Sequence, residues 1–344
     1  MLARPITETV VETEVRLDEA LTLPARIVRE LCAAGRVRVR SPGERFGHAV
    51  LEGRPWLEAG TRVAVLDESL DPRLLPEDIA IRLLHDDEAL LVVDKPARLV
   101  TYPGPGHPAG TLANALRGLG GPLSSLEGSF RPGIVHRLDF GTSGAIVVAR
   151  TDAAHRALSE QLVARTLHRT YIALVCGEPA WDARNVESFL GQRRPGRTAR
   201  GSVEPERGQV AITGLRVLGR SAGLATVEAR PLTGRRHQIR VHLAEAGHPV
   251  VGDTLYGGPT ARRAARSLGL RRPALHALRV ELRHPVTATT LTVTAPLPPD
   301  LASVNVLAAS VSISAVPSRS VATTSVARRA PGAGGGTSDV TSRT

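Results

Sequence analysis

Apolar and polar positions alternate along Arg36-Val37-Arg38-Val39-Arg40, the pattern of a half-buried strand with three arginines on one face. Upstream, residues 17–21 suit a short helix. Residues 24–34 suit a second, opening with Pro24 near its first turn and stopping at Gly35. Helical spacing places Ile27, Leu31 and Ala34 inward on it and Arg26 and Arg29 outward. Residues 67–78 mix Pro72 and Pro76 with charges and read as a linker. A compact apolar strand follows at 89–94, then a helix at 112–116. Two short β-branched runs, 134–138 and 145–149, flank Gly141 and Gly144 and predict strand, turn, strand. Residues 153–164 predict a helix with Leu158, Leu162 and Val163 on one side, and 169–177 alternate as a strand. The polar stretch 193–207 predicts an exposed loop or hairpin tip, followed by strands at 209–218 and 222–231. A helix is then expected from a Thr233 cap to Gly247, with Ile239, Leu243 and Ala246 inward and Arg236 and Arg240 on one stripe.

Composition narrows the class. The chain has 344 residues, 42% of them hydrophobic, enough for a large domain and a smaller one and too many for a wholly disordered protein. Its formal net charge of +11 favours a polyanionic partner, with nucleic acid first. The basic residues are arginines except for Lys95, so a coding bias accounts for part of the charge, and the one surviving lysine marks a place where a compact ammonium matters. Cys32 and Cys176 form neither a disulfide framework nor a zinc cluster and fit a reducing compartment. No signal core opens the chain and no apolar run reaches the ~20 residues that cross a bilayer, so the expectation is a cytoplasmic protein without membrane association.

Chemistry concentrates at the turn after residue 138. A period of two puts Arg137 on the same side as Asp139, so a carboxylate and a guanidinium share one surface, although an Asp there also suits an ordinary turn. Other chemistries fail on spacing. Gly141-Thr142-Ser143-Gly144 lacks a residue required by a nucleophile elbow. Gly104, Gly106 and Gly110 miss the dinucleotide fingerprint by one residue, and no phosphate-binding Gly-Lys-Ser occurs. His237 and His242 are five apart without the glutamate of a zinc helix. Neither a metal nor a cofactor is expected.

The whole string is more specific than its parts. His136-Arg137-Leu138-Asp139 followed by Thr142-Ser143-Gly144 resembles the signature of the RluA family of RNA pseudouridine synthases. Lys95-Pro96 with the Pro-Gly-rich 102–107 resembles that family's first motif, with Arg98 where Gly is common and Thr101-Tyr102 where Val-His is common. Arg169-Thr170-Tyr171 resembles the second, with Arg for the usual Lys. Gly234-Arg235-Arg236-His237-Gln238-Ile239-Arg240, continuing to Leu255-Tyr256-Gly257-Gly258, resembles the third. Phe140-Gly141 stands where a charged pair is usual.

The resemblance implies an α+β catalytic domain with a mixed, largely antiparallel sheet over residues 77–301, and isomerisation of uridine in structured RNA, ribosomal or transfer. It gives Asp139 the role of nucleophile, Arg240 that of its partner and Tyr171 a place against the uracil. Arg137 either fills the space left by the extruded base or anchors a phosphate. Lys95 and Arg236 are candidate RNA contacts. The order of helix, helix, glycine and basic strand over residues 15–66 resembles a small helix-plus-hairpin RNA-binding domain, with Ser41-Pro42-Gly43 in place of the Asn-Gly turn. Arg26, Arg29, Arg36, Arg38 and Arg40 are its candidate contacts. Residues 1–14 are then an N-terminal extension, 67–76 the linker and 302–344 a disordered tail rich in small and polar residues; a monomer is expected. A non-catalytic RNA-binding or ribosome-assembly factor also explains the charge, and a glycosidase would require a second carboxylate opposite Asp139.

Overall fold

A computed structural model describes residues 7–45, 47–52, 55–66, 71, 73, 75–193 and 199–304. The first unit runs β1 (Thr7–Val10), β2 (Val15–Arg16), α1 (Leu17–Leu21), α2 (Ala25–Ala33), β3 (Val37–Arg40), β4 (His48–Ala49), β5 (Trp56–Leu57) and β6 (Arg62–Val65). Its sheet has the order β1-β6-β3-β4, with β2 and β5 paired separately. β1 comes from residues expected to be an extension; it pairs antiparallel with β6, Thr7 opposite Val65. The helices match expectation in place, but α2 buries Val28 and Cys32 rather than Ile27 and Ala34. That i, i+4 pair meets Val37, Val39 and Val63 of the sheet, and this packing fixes the helix rotation. Arg26 and Arg29 remain exposed.

Arg38 departs from its expected RNA-facing role. Its neighbours on β3 are buried and so is Arg38, at 9% exposure. Its guanidinium sits 3.0 Å from Glu77 Oε1 and donates to the carbonyls of Gly47 and Pro76 at 2.5 and 2.6 Å. Glu77, itself buried, accepts from the amides of Ala49 and Gly110. Arg38 thus ties the small unit to the start of the large one.

The large unit contains β7 (Arg82–Asp86), β8 (Leu90–Lys95), α3 (Leu112–Leu119), β9 (Ser143–Ala149), α4 (Asp152–Val163), β10 (His168–Cys176), β11 (Ala183–Gln192), β12 (Arg200–Ser202), β13 (Gln209–Ser221), β14 (Leu224–Pro231), α5 (Gln238–Glu245), α6 (Gly258–Ser267), β15 (Leu275–Arg283), β16 (Thr290–Thr294) and α7 (Pro299–Ala302). Its sheet has the order β12-β11-β13-β14-β10-β15-β9-β8-β7, with β16 on β15. Of the paired strands described, β9 and β15 run parallel and the others antiparallel, so the sheet is mixed and largely antiparallel, as expected. On β8, Leu91 and Val93 enter one core with α3, while Leu90 and Val92 enter another with Ala154 and Leu158 of α4. Both faces of the sheet centre are covered, which is why its strands read as continuous apolar runs. Val163, expected on the inner side of α4, is exposed.

Two local expectations fail. Residues 134–138 form no strand beyond one bridge from Ile134 to Val148. β15 takes the edge of β9 away from β8 only at Ser143 and Gly144; farther along, Gly133 and Ile134 meet β9 at Ala149 and Val148, and the pairing goes no further. Its polar groups bond elsewhere: His136 Nε2 accepts from the Val147 amide, and the Leu138 carbonyl accepts from Thr101 Oγ1. The helix expected from Thr233 starts instead at Gln238, because His237 adopts a left-handed φ of 60°. Thr233 Oγ1 and the Arg235 amide donate to Gln238 Oε1, closing a tight turn ahead of the helix. Arg236 therefore lies off the helix and shares no stripe with Arg240. At the other end, Leu301 and Val304 join the core, and the rest of the expected tail lies outside the described residues.

Candidate active site

The loop carrying Asp139 hangs between α3's entry segment and β9, and its backbone is held at successive residues. Thr101 Oγ1 donates to the Leu138 carbonyl at 2.9 Å, the Arg98 amide to Phe140 at 2.7 Å and Arg272 Nη1 to Gly141 at 3.3 Å. The Thr142 amide closes a turn onto the Asp139 carbonyl. Gly144 is required where the loop enters β9: its φ is +115° and a Cβ there would lie 2.2 Å from the Ala277 carbonyl oxygen across the parallel pair. The loop is stiff, and Asp139 is placed by it.

One small cavity gathers Asp139 with Arg137, Tyr171, Arg236 and Arg240 from three separate stretches of chain. Tyr171 comes from β10 at a register shift between Thr170 and Tyr171, which turns the ring into the cavity. The ring is buried, and burial raises its phenol above the usual range. Arg240 comes from α5 and places Nη1 3.4 Å from Asp139 Oδ2. Arg137 sits at the exposed mouth, its Nη1 donating to the Tyr102 hydroxyl at 2.8 Å. Asp139 is the only carboxylate among the lining residues, against five arginines.

Sequence reading missed the residues behind these. Asp253 is fully buried and takes Arg240 in a two-pronged grip, Oδ2 from Nε at 2.6 Å and Oδ1 from Nη2 at 2.8 Å. Burial works against both charges, but the pairing outweighs it: the Asp253 carboxyl is held below its usual range and the Arg240 guanidinium above its own. The amides of Leu255 and Tyr256 also donate to Asp253 Oδ1. His237 Nε2 lies 4.0 Å from Asp139 Oδ1, while Nδ1 meets the Tyr256 hydroxyl at 2.8 Å. Burial drives the His237 pKa down to about 4, against the pull of Asp139, so the ring is neutral at pH 7. Both residues stood inside the third motif; the signal was an acid and a histidine flanking an arginine that has to be aimed.

Lys95 makes no contact open to RNA. It is fully buried, and its ammonium donates to the carbonyls of Pro96 and Leu99, both at 2.8 Å. Burial lowers its pKa to about 7, with the charge of Asp139 working in the other direction. It is a strut inside the 95–99 turn. Arg36 and Arg40 are half-buried on the small unit, and Arg236 is exposed at the cavity.

Two other features carry different chemistry. A cavity of about 740 Å³ lies beyond Lys95 and Arg98, lined by Arg82, Arg271 and residues 296–300, and excludes Asp139. His85, Asp87 and His284 come close enough together for a metal ion. However, His284 Nδ1 accepts from the amides of Val286 and Thr287, which keeps the ring proton on Nε2, where a metal would need the lone pair. The trio is a hydrogen-bonded clip between β7 and β15. Among the described residues no helix is long and apolar enough to cross a membrane.

A mixed sheet here presents one carboxylate in an arginine-lined cavity, a site suited to a polyanion. Residues 89–245 match the family model described as RNA pseudouridylate synthase. An uncharacterised RNA pseudouridine synthase of Synechocystis is 40% identical over 291 residues, covering 83% of this chain and 86% of the relative. The ribosomal large subunit pseudouridine synthase D of Xanthomonas campestris is 40% identical over 270 residues, covering 75% and 80%. Among solved structures, human RNA pseudouridylate synthase domain containing 1 superposes with a TM-score of 0.51 at 27% identity, over 64% of this chain and 86% of that one. This chain belongs to the RNA pseudouridine synthases of the RluA family, isomerases that convert uridine to pseudouridine in RNA.

Proposed function

We propose that the chain modifies ribosomal RNA of the large subunit, with Asp139 as its nucleophile. The observation that carries this is the convergence of Asp139, Arg240, Tyr171 and Arg137 on one cavity in which Asp139 is the sole carboxylate. A glycosidase would need a second carboxylate facing it. The name borne by the Xanthomonas relative supports the choice of RNA.

The isomerisation breaks the C1′–N1 bond of uridine and joins C1′ to C5; C5 loses its proton to solvent and N1 gains one, with no change of redox state. One carboxylate in a shielded site suffices. Arg240, fixed by Asp253, aims Asp139 and balances its charge in the closed site. Tyr171 gives the uracil a flat apolar wall. The cavity, about 50 Å³, is far smaller than typical ligand sites, so the base enters only when side chains at its mouth move. Arg137, exposed and held by Tyr102, is the group that moves, and it fills the gap the extruded base leaves in the RNA stack.

Residues 7–66 form a docking unit in this reading, with Arg26, Arg29, Arg36 and Arg40 meeting phosphates and Arg38 holding the unit in place. Replacing those four by Gln flattens the salt dependence of RNA binding; an unchanged slope removes the unit from the RNA interface. The protein acts as a monomer in the cytoplasm, where the thiols of Cys32 and Cys176 stay reduced.

The test is tritium release from RNA labelled at uracil C5. Wild type releases tritium from large-subunit ribosomal RNA, and Asp139→Ala binds the same RNA without release. Release by Asp139→Ala would overturn the assignment of the nucleophile, and release from transfer RNA alone would overturn the choice of substrate.

A further inference from the structure

We infer that Phe140 and His107 form a stacking platform for an unpaired base next to the target uridine, a proposal that rests on the RNA-modifying reading above. Phe140 follows Asp139 directly and is 49% exposed. Its exposure is imposed by the fold. The turn closed from Thr142 to Asp139 and the Arg98 bond to the Phe140 carbonyl fix the backbone, so the ring does not swing away with the loop.

His107 supports it from one side. Residues Gly104 and His107 exchange two backbone hydrogen bonds, a tight turn that allows Gly106 a φ of +76°. That turn presents the His107 ring to Phe140 at a centroid distance of 5.7 Å and a tilt of 31°. The two rings are tilted against each other, and about half of Phe140 stays open to solvent.

Its surroundings fit an RNA strand. Beside it Tyr102 is flanked by two guanidinium groups, Arg131 at 4.4 Å and Arg137 at 5.2 Å from the ring centroid. Arg98 is exposed on the near edge of the same loop. An aromatic face between arginines suits single-stranded RNA, because a base stacks while the neighbouring phosphates meet the charges. The chain is poor in aromatic residues, with four Phe, three Tyr and two Trp, yet all three tyrosines and Phe140 stand at or beside this cavity. Since the extruded uridine enters beside Asp139, one residue away, the base that reaches Phe140 is an immediate neighbour of the target. Stacking there is tolerant of base identity, so the platform selects for an unpaired neighbour rather than for a sequence.

Two measurements test this. Phe140→Ala raises KM for tritium release from large-subunit ribosomal RNA about tenfold, with kcat within about twofold of wild type, and Phe140→Tyr restores KM. An unchanged KM, or a loss confined to kcat, overturns the platform. The second does not depend on turnover: Phe140→Trp in a Trp56→Phe, Trp181→Phe background gives one reporter, whose fluorescence is quenched by saturating ribosomal RNA. Unchanged fluorescence overturns the proposal. Quenching without tritium release by wild type keeps the platform and discards large-subunit ribosomal RNA as the modified substrate, so the two failures are told apart.

Discussion

Arg240 is bound to Asp253 more closely than to Asp139: its two bonds to Asp253 measure 2.6 and 2.8 Å, and its approach to Asp139 3.4 Å. The buried acid holds the guanidinium, and the guanidinium in turn faces Asp139. Asp253→Asn keeps the shape but sets an amide donor against a guanidinium donor. The expected outcome is a fall in kcat of about 10- to 100-fold with a smaller change in KM, read by tritium release. Asp253→Ala leaves a buried charge without its partner and lowers stability by about 3–5 kcal/mol, read by chemical denaturation.

Lys95 is the chain's sole lysine and is sealed from solvent. An amine-reactive reagent labels the native protein at its α-amine alone, and labels Lys95 as well once the protein is unfolded. Mass mapping of the label under both conditions checks this; rapid native labelling at Lys95 would contradict the buried strut.

Arg38→Ala removes the partner of a buried Glu77 and exposes the seam between the two units. A loss of about 3–5 kcal/mol is expected in urea unfolding. The salt slope of RNA binding stays as in wild type, since Arg38 meets no phosphate.

Arg98 adopts a φ of 65°, a conformation that disfavours every residue with a Cβ. Arg98→Gly relieves it and gains about 1 kcal/mol of stability, measured by denaturation. The gain comes from the backbone, so Arg98→Ala does not share it.

Buried histidines set the response to acid. His237 and His276 titrate at about 4 in the fold, driven down by burial, against an ordinary value of 6.5. As pH falls from 6.5 the unfolded chain takes up these protons first, so the stability these two groups contribute above 6.5 is lost progressively down to about 4, and His136, which burial lowers to about 3, extends the loss. Unfolding followed at pH 7, 5.5 and 4.5 shows the slope. For His276 burial outweighs the Ala295 carbonyl, which accepts from Nε2 and by itself would raise the value. His276→Gln reduces the slope.

Local chemistry made much of this legible in the sequence. The apolar runs of β8, β9 and β10 announced central strands, and the string from His136 to Gly144 announced the family, because a motif is a run of neighbours and neighbours are what a sequence records. β11 escaped notice since its exposed, polar residues carry no strand period. Arg38 and Lys95 show the limit most clearly. Both read as free cations on a basic chain, and only the tertiary structure closed them in, one by the approach of Glu77 and the other by two carbonyls of its own loop. Residues 134–138 had a strand's composition but pair with β9 only at Ile134, because the Val147 amide goes to the His136 side chain and the Leu138 carbonyl to Thr101. Asp253, 13 residues from Arg240 and 114 from Asp139, meets its charge partner only when the chain is folded. Alternation, turn residues and motifs act over a few residues and are fixed by the sequence alone. Ladder edges, buried charge pairs and the aim of a side chain depend on which distant groups arrive beside them, and that is decided by packing.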